Sequence, residues 1–293
     1  MRIHLETVTG EYENDCISRG HSAHTMSAYR IALRQFRQHA EGLEAASCEL
    51  ITPAVVRSFA AESMKSLSAG GAHARLRVVR SFLRWATEEG YFDKNPMERV
   101  PMPKLPYKVL DAVTPQDMKK LLREAQKSTT PLKYQALLAV LYDTGLRVSE
   151  LWSLEMRDVL PNQCFFVRDG KGGKDRVVPV SRLTLKAVQQ YVKQERDTTS
   201  LPQLFVVNQH TPYSNITVYK WLERLCRRAE VKRYGPHCFR RGFAVNYLRN
   251  GGDVFTLQRI MGHSTLAMTN RYAAMTTDDL QDVHRRASPF SSL

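Results

Sequence analysis

Apolar residues recur at helical spacing through the first hundred positions. Between His24 and Phe36, the residues Tyr29, Leu33 and Phe36 fall at i, i+4 and i+7, on one face of a predicted helix. Arg30, Arg34 and Arg37 keep the same spacing on the adjoining face. A further helix is predicted over residues 72–88, with Leu76, Val79 and Leu83 as its apolar stripe and Arg77, Arg80 and Arg84 beside it. A solvated surface accounts for any one of these arginines; two parallel basic stripes suit contacts to phosphate. The pattern then breaks at Pro96, Pro101, Pro103 and Pro106. Prolines at this density cannot continue a helix and favour an extended, semi-rigid join. The chain is therefore expected to hold an N-terminal helical domain over 1–98, a linker over 99–110 and a larger domain over 111–293.

Beyond the join, Thr114-Pro115 reads as a helix N-cap followed by proline at the first helical position. Helices are expected as far as Asp143, with Gly145 placed to end one in a left-handed conformation. Residues 164–169 and 176–180 flank a glycine-lysine turn and predict a β-hairpin, to which Leu204 to Val207 can add a third strand. Helical patterning returns from Ile216. Near the end, Thr277 can cap a short amphipathic helix whose apolar face is Leu280, Val283 and Ala287. The fold class is mainly α with a small antiparallel sheet.

Charge narrows the partners. The chain has 293 residues, is 43% hydrophobic and carries a net charge of +14. Residues 1–105 hold 14 Lys/Arg against 12 Asp/Glu, so nearly all of the excess lies in the larger domain. A basic surface of this size is the footprint of a phosphate-backbone binder, which points to nucleic acid. The five cysteines, Cys16, Cys48, Cys164, Cys226 and Cys238, are odd in number and widely spaced. They read as reduced thiols, neither a disulfide framework nor a zinc site. No signal peptide opens the chain and no stretch has the length to span a bilayer, so a cytoplasmic enzyme is expected, nucleoid-associated if its source is bacterial or archaeal, with no membrane partner.

The chemistry sits in ordered motifs. Thr144-Gly-Leu-Arg147-Val-Ser-Glu150 comes first, then Gly170-Lys171-Gly-Gly-Lys174, then Pro236-His237-Cys-Phe-Arg240, and last Gly262-His263 with Tyr272 nine residues on. Each has a plainer reading alone: a helix C-cap with a surface arginine, a hairpin turn with solvated lysines, a charged helix start, a core tyrosine. Together they supply what breaking and resealing a phosphodiester requires. A tyrosine hydroxyl conserves the bond as a phosphate ester. Guanidiniums fork onto the oxygens where charge develops. His237 and Arg240, three apart, share one face if a helix starts at Pro236, and its N-terminus adds positive potential. There is no His-Glu-x-x-His, no paired Cys-x-x-Cys and no acidic cluster, so neither a metal nor another cofactor is expected.

Arg147, Lys171, His237, Arg240, His263 and Tyr272 match the ordered signature of the tyrosine recombinases, and the chain closely resembles that phage integrase family over roughly residues 20–285. The resemblance implies a SAM-like N-terminal bundle and a catalytic domain closing as a C-shaped clamp on double-stranded DNA, with Arg30, Arg34, Arg37, Arg77, Arg80, Arg84 and Lys174 among its contacts. It implies Lys171 as general acid, Tyr272 as nucleophile and Glu150 as an accessory acid that orients the site. His237 is the candidate to receive the tyrosine proton and His263 to hydrogen-bond the phosphate. It also implies a homotetramer on synapsed sites, or a hetero-partner recombinase, with the tail helix docked on a neighbour; packing on its own domain is the alternative. The expected activity is integration, excision, resolution or inversion by a short-site recombinase of the Xer type or of a mobile element. A type IB topoisomerase shares these residues, and a non-catalytic DNA-binding module is the reading from a different class. An intact Tyr272 argues against the latter, because a binder needs no nucleophile.

Overall fold

The computed structural model describes residues 3–105, 111–170, 174–196, 200–208, 210–273, 284 and 288. It divides into two compact units, Met1–Lys108 and Val109–Leu293.

In the first unit, α1 (Leu5–Ser18), α2 (Ala23–Glu41), α3 (Pro53–Ser66) and α4 (Ala69–Glu88) pack around one core. The hydroxyls of Ser22, Thr52 and Ser68 cap α2, α3 and α4 by accepting from the backbone amide three residues on. The predicted stripes are the buried ones: Leu33, Phe36, Leu76, Val79 and Leu83 are enclosed, and Tyr29 packs at the edge. Burial of each such side chain contributes about 1.5–3 kcal/mol. Val100 and Met102, inside the expected linker, also pack on this core.

The second unit is built on α6 (Pro131–Thr144), whose Ala136, Leu137, Leu138, Val140 and Leu141 are all enclosed. A helix apolar on every side belongs at the centre. Ahead of it lies α5 (Pro115–Ala125), capped by Thr114, whose hydroxyl accepts from the Asp117 amide. After it come α7 (Val148–Ser153), β1 (Val159–Leu160), β2 (Cys164–Gly170), β3 (Lys174–Pro179) and α8 (Arg182–Gln194). Then follow β4 (Val206–Asn208), β5 (Thr211–Pro212), α9 (Asn215–Arg228), α10 (Pro236–Arg249), α11 (Val254–Met261) and α12 (Leu266–Ala273). α5, α8 and α10 pack against α6.

The hairpin forms in the expected place, with Phe165 opposite Val178 and Val167 opposite Arg176. Its third strand differs from the sequence expectation. β1 fills that edge in the antiparallel order β1-β2-β3, whereas β4 pairs with β5 in a separate two-stranded sheet. The backbone just before β4 is committed elsewhere, because the Leu204 amide donates to the Leu154 carbonyl and Gln203 bridges Glu155. Leu204 and Phe205 are themselves buried, with Phe205 stacked on Tyr191. The expected tail helix over 277–287 lies outside the described residues, apart from His284.

Gly145 ends α6 at φ 60°, ψ 21°. A Cβ there would stand 2.4 Å from Cδ1 of Phe243 on α10. Gly145→Ala therefore combines left-handed strain of roughly 1 kcal/mol with a clash in the core. We expect the urea midpoint of the catalytic unit to fall by more than the backbone strain alone requires, and Phe243→Leu in the same chain to recover part of the loss.

Candidate active site

The turn at Gly145 sends Leu146 into the core and makes Arg147 the N-cap of α7. Glu150, at the third position of that helix, is 4% exposed and reaches back. Its Oε2 accepts from the Arg147 backbone amide at 2.7 Å and its Oε1 from Arg147 Nη1 at 2.7 Å. The opposite edge of the carboxylate is taken by Arg176 of β3, whose Nη1 and Nη2 donate at 2.9 and 2.8 Å. Burial alone would raise the Glu150 pKa, but the hydrogen bonds and charges of Arg176 and Arg147 outweigh it and hold the carboxyl at about 2.

Arg240 lies one turn into α10, which Pro236 starts, and is 5% exposed. Its Nη1 donates to the Gly145 carbonyl at 2.6 Å and its Nη2 to the Met261 carbonyl at 2.7 Å. Burial, with Arg147 and Arg176 nearby, pulls its pKa down to about 10, which still leaves it charged at neutral pH.

α11 supplies the counter-pole. At its C-terminus Gly262 turns left-handed at φ 62°, and the amides of Gly262 and His263 close onto the carbonyls of Arg259 and Gln258. The next three carbonyls are taken by guanidiniums. Ile260 accepts from Arg176 at 2.8 Å, Met261 from Arg240 at 2.7 Å and Gly262 from Arg147 at 3.0 Å. Carbonyls at a helix C-terminus lack intrahelical donors and carry the negative end of the dipole, so they suit cations.

His263 follows directly and is 9% exposed. Its Nδ1 pairs with the buried Thr269 hydroxyl at 2.8 Å, and its ring stacks on Tyr272 with centroids 6.1 Å apart and planes 18° from parallel. Burial first, and then Arg240, Arg147 and Arg176, push its pKa down to about 4. His237 sits exposed at the start of α10, its pKa lowered by partial desolvation and by Arg241, Arg240 and Arg147. Tyr272 is half-buried on α12 and acts electrostatically on Arg240.

Five of the six expected catalytic positions, with Glu150, are thus brought together. Lys171 lies outside the described residues, and so does the side chain of Lys174. Sequence reasoning assigned nothing to Arg176 or Thr269. For Arg176 a signal existed, since strand alternation puts it on the same face as the enclosed Val178. In the N-terminal unit Arg30 pairs with Glu13, Arg37 with Glu6 and Arg84 with Glu88. Arg34, Arg77 and Arg80 are exposed. Surface pairs contribute about 0–1 kcal/mol, so phosphate can replace the glutamates.

The lowered pKa of His263 has a sign that can be worked through. Between its unfolded value of 6.5 and its folded value of about 4, the unfolded chain binds a proton that the native chain refuses. Stability therefore falls as pH drops from 6.5 towards 4, by roughly 3 kcal/mol for a shift of this size. The Glu150 contribution is lost lower still, between about 4.5 and 2. Urea unfolding across pH 7 to 4 should show that slope, and His263→Gln should flatten it.

Residues 111–278 match the model of the phage integrase family, and residues 11–90 match its N-terminal SAM-like domain. The tyrosine recombinase XerC of Pelobacter propionicus is 30% identical over 299 residues, covering 99% of this chain and 94% of its own. XerC of Halalkalibacterium halodurans is 32% identical over 93% of this chain and 94% of its own, and XerD of Listeria monocytogenes 28% over 93% and 95%. Among solved structures, XerA recombinase is 26% identical at a TM-score of 0.55, covering 97% of this chain and 99% of that one. The Tn1549 transposon integrase in complex with transposon right end DNA shares the fold at a TM-score of 0.78 and 20% identity, over 92% and 94%. The chain belongs to the phage integrase family, the tyrosine recombinases.

Proposed function

We propose that this site-specific recombinase cleaves duplex DNA with Tyr272 and reseals it through a 3′-phosphotyrosyl intermediate. The observation that carries the reading is the gathering of Arg147, Arg240, His263 and Tyr272 at the end of α11. Two of the five N–H donors of each catalytic guanidinium are held by protein oxygens, which fixes its plane and keeps others for phosphate. Tyr272 Oη bonds to phosphorus as the 5′ oxygen departs. The tyrosine proton passes to neutral His237, and Lys171 protonates the leaving oxygen. Attack by a 5′ hydroxyl of the partner strand reverses these steps and frees the tyrosine. Neutral His263, its Nδ1 accepting from Thr269, presents Nε2–H to a non-bridging oxygen.

The basic excess and the arginines on α2 and α4 support duplex binding along the phosphate backbone. A homotetramer on paired sites in the cytoplasm is the proposed working form. It is supported by the fold shared with a lambda integrase tetramer bound to a Holliday junction, at 19% identity and a TM-score of 0.76. A hetero-partner is the second form, because relatives named XerC and XerD both match. Short-site exchange of the Xer or mobile-element kind fits either form.

The nucleophile is tested with a nicked substrate that traps the covalent adduct. Wild type should give a denaturant-resistant protein–DNA band, and Tyr272→Phe should bind the site without giving it. A band from Tyr272→Phe would remove Tyr272 from the mechanism.

Proton transfer is tested separately from charge stabilisation. Arg147→Ala and Arg240→Ala should each lose about 3–4 kcal/mol of transition-state stabilisation. A bridging 5′-phosphorothiolate should restore Lys171→Ala, because a sulfur leaving group needs no acid, and should leave Arg147→Ala slow. The opposite pattern of rescue would exchange the two roles.

A further inference from the structure

We infer that Arg176 is a positioning residue for strand cleavage, acting through Arg147, an inference that rests on the proposed role of Arg147 at the scissile phosphate. Arg176 bonds to one anchor of Arg147, the Glu150 carboxylate, and to the helix end that carries the other. It forks onto the Glu150 carboxylate at 2.9 and 2.8 Å, and its Nε donates to the Ile260 carbonyl at 2.8 Å. Glu150 is the first anchor of Arg147, and the carbonyl run that starts at Ile260 contains the second, Gly262.

The geometry gives Arg176 a different task from the arginines beside it. Its side chain is 11% exposed, and three of its five N–H donors are already spent on protein oxygens. A carboxylate offers about four lone-pair sites. Arg176 fills one on each oxygen of Glu150, which leaves one on Oε1 for Arg147 Nη1 and one on Oε2 for the Arg147 amide. The carboxylate plane is thereby fixed, and the Arg147 head is fixed by it. A lysine can supply the charge but not the fork.

The tether to α11 works in the same direction. With Ile260 held by Arg176, the following carbonyls meet Arg240 and Arg147, and His263 comes next. Close passage is built in at Gly262, where a Cβ would stand 3.2 Å from Cδ, Nε and Cζ of Arg176. Arg176 also lies on β3, which begins three residues after Lys171 in the sequence. A role through Lys171 is therefore the competing explanation, and the chemistry separates the two.

The test compares single-turnover cleavage of a normal site with cleavage of one carrying a neutral methylphosphonate at the scissile position. That group lacks the oxygen charge an arginine stabilises. Arg147→Ala should slow the normal site by roughly 100-fold or more and the methylphosphonate site far less. Arg176→Gln should show the same selectivity, with a loss of roughly 10-fold or more on the normal site and unchanged site affinity in a gel shift. In the Arg147→Ala background it should add less than about 3-fold, because residues acting as one unit are not additive. Arg176→Lys, with less disturbance to folding, should show a smaller loss of the same selectivity.

Equal slowing on both substrates would make Arg176 a scaffold residue and overturn the inference. So would an independent loss in the double variant, wild-type rates, or rescue by a bridging 5′-phosphorothiolate, which would place its action through Lys171. If Arg147→Ala itself fails to distinguish the two substrates, the reading of the site fails, and that result is separate from the others.

Discussion

The catalytic unit depends on gathering three guanidiniums without letting them push the site apart. Two unit charges about 4 Å apart repel by about 4 kcal/mol at an effective dielectric of 20. The molecule offsets this with one buried carboxylate, Glu150, and with the carbonyls of Ile260, Met261 and Gly262. This explains why the end of α11 lies where it does. It also explains why Gly262 leaves the helix left-handed, since that turn gives two carbonyls to the backbone and frees the next three. Positive potential remains in excess, and a phosphate is what completes it.

The same charge excess sets the histidines. His263 is held neutral by burial and by the arginines, and His237 is shifted in the same direction. A neutral imidazole can donate one N–H to a phosphate oxygen without adding to the repulsion, and its free ring nitrogen can accept a proton. The stacked rings of His263 and Tyr272 then link Tyr272, the proposed nucleophile, to the cation cluster. One electrostatic arrangement thus sets the protonation of two residues and the surroundings of a third.

Much of this was legible in the sequence where the signal is local. The Thr114 cap, the glycine ending α6 and the proline starting α10 each act within a few residues, and each lies where its chemistry predicts. Strand pairing is not local. Leu204 to Val207 has the composition of a strand, but its neighbour was decided by backbone bonds to residues 154–156. Arg176 was hidden for the same reason, because its partners Glu150 and Ile260 lie far away in sequence. The sequence places it only at the start of a hairpin strand, with no role of its own. The three-carbonyl run has no sequence signature at all, since every residue carries a carbonyl and only tertiary packing brings the arginines to these three.

The N-terminal unit follows a simpler rule. Its arginines stand on helix faces opposite a well-filled core, several loosely paired to glutamates that phosphate can displace. In the proposed function such arginines would give affinity along the backbone, and bond breaking would belong to the cluster at the end of α11. The most direct measurement of that division is peptide mass spectrometry of the trapped covalent complex after nuclease digestion. The account predicts a 3′-phosphonucleotide on the peptide containing Tyr272 and on no other. Nucleotide attached to any other residue, or through a 5′ phosphate, would contradict it.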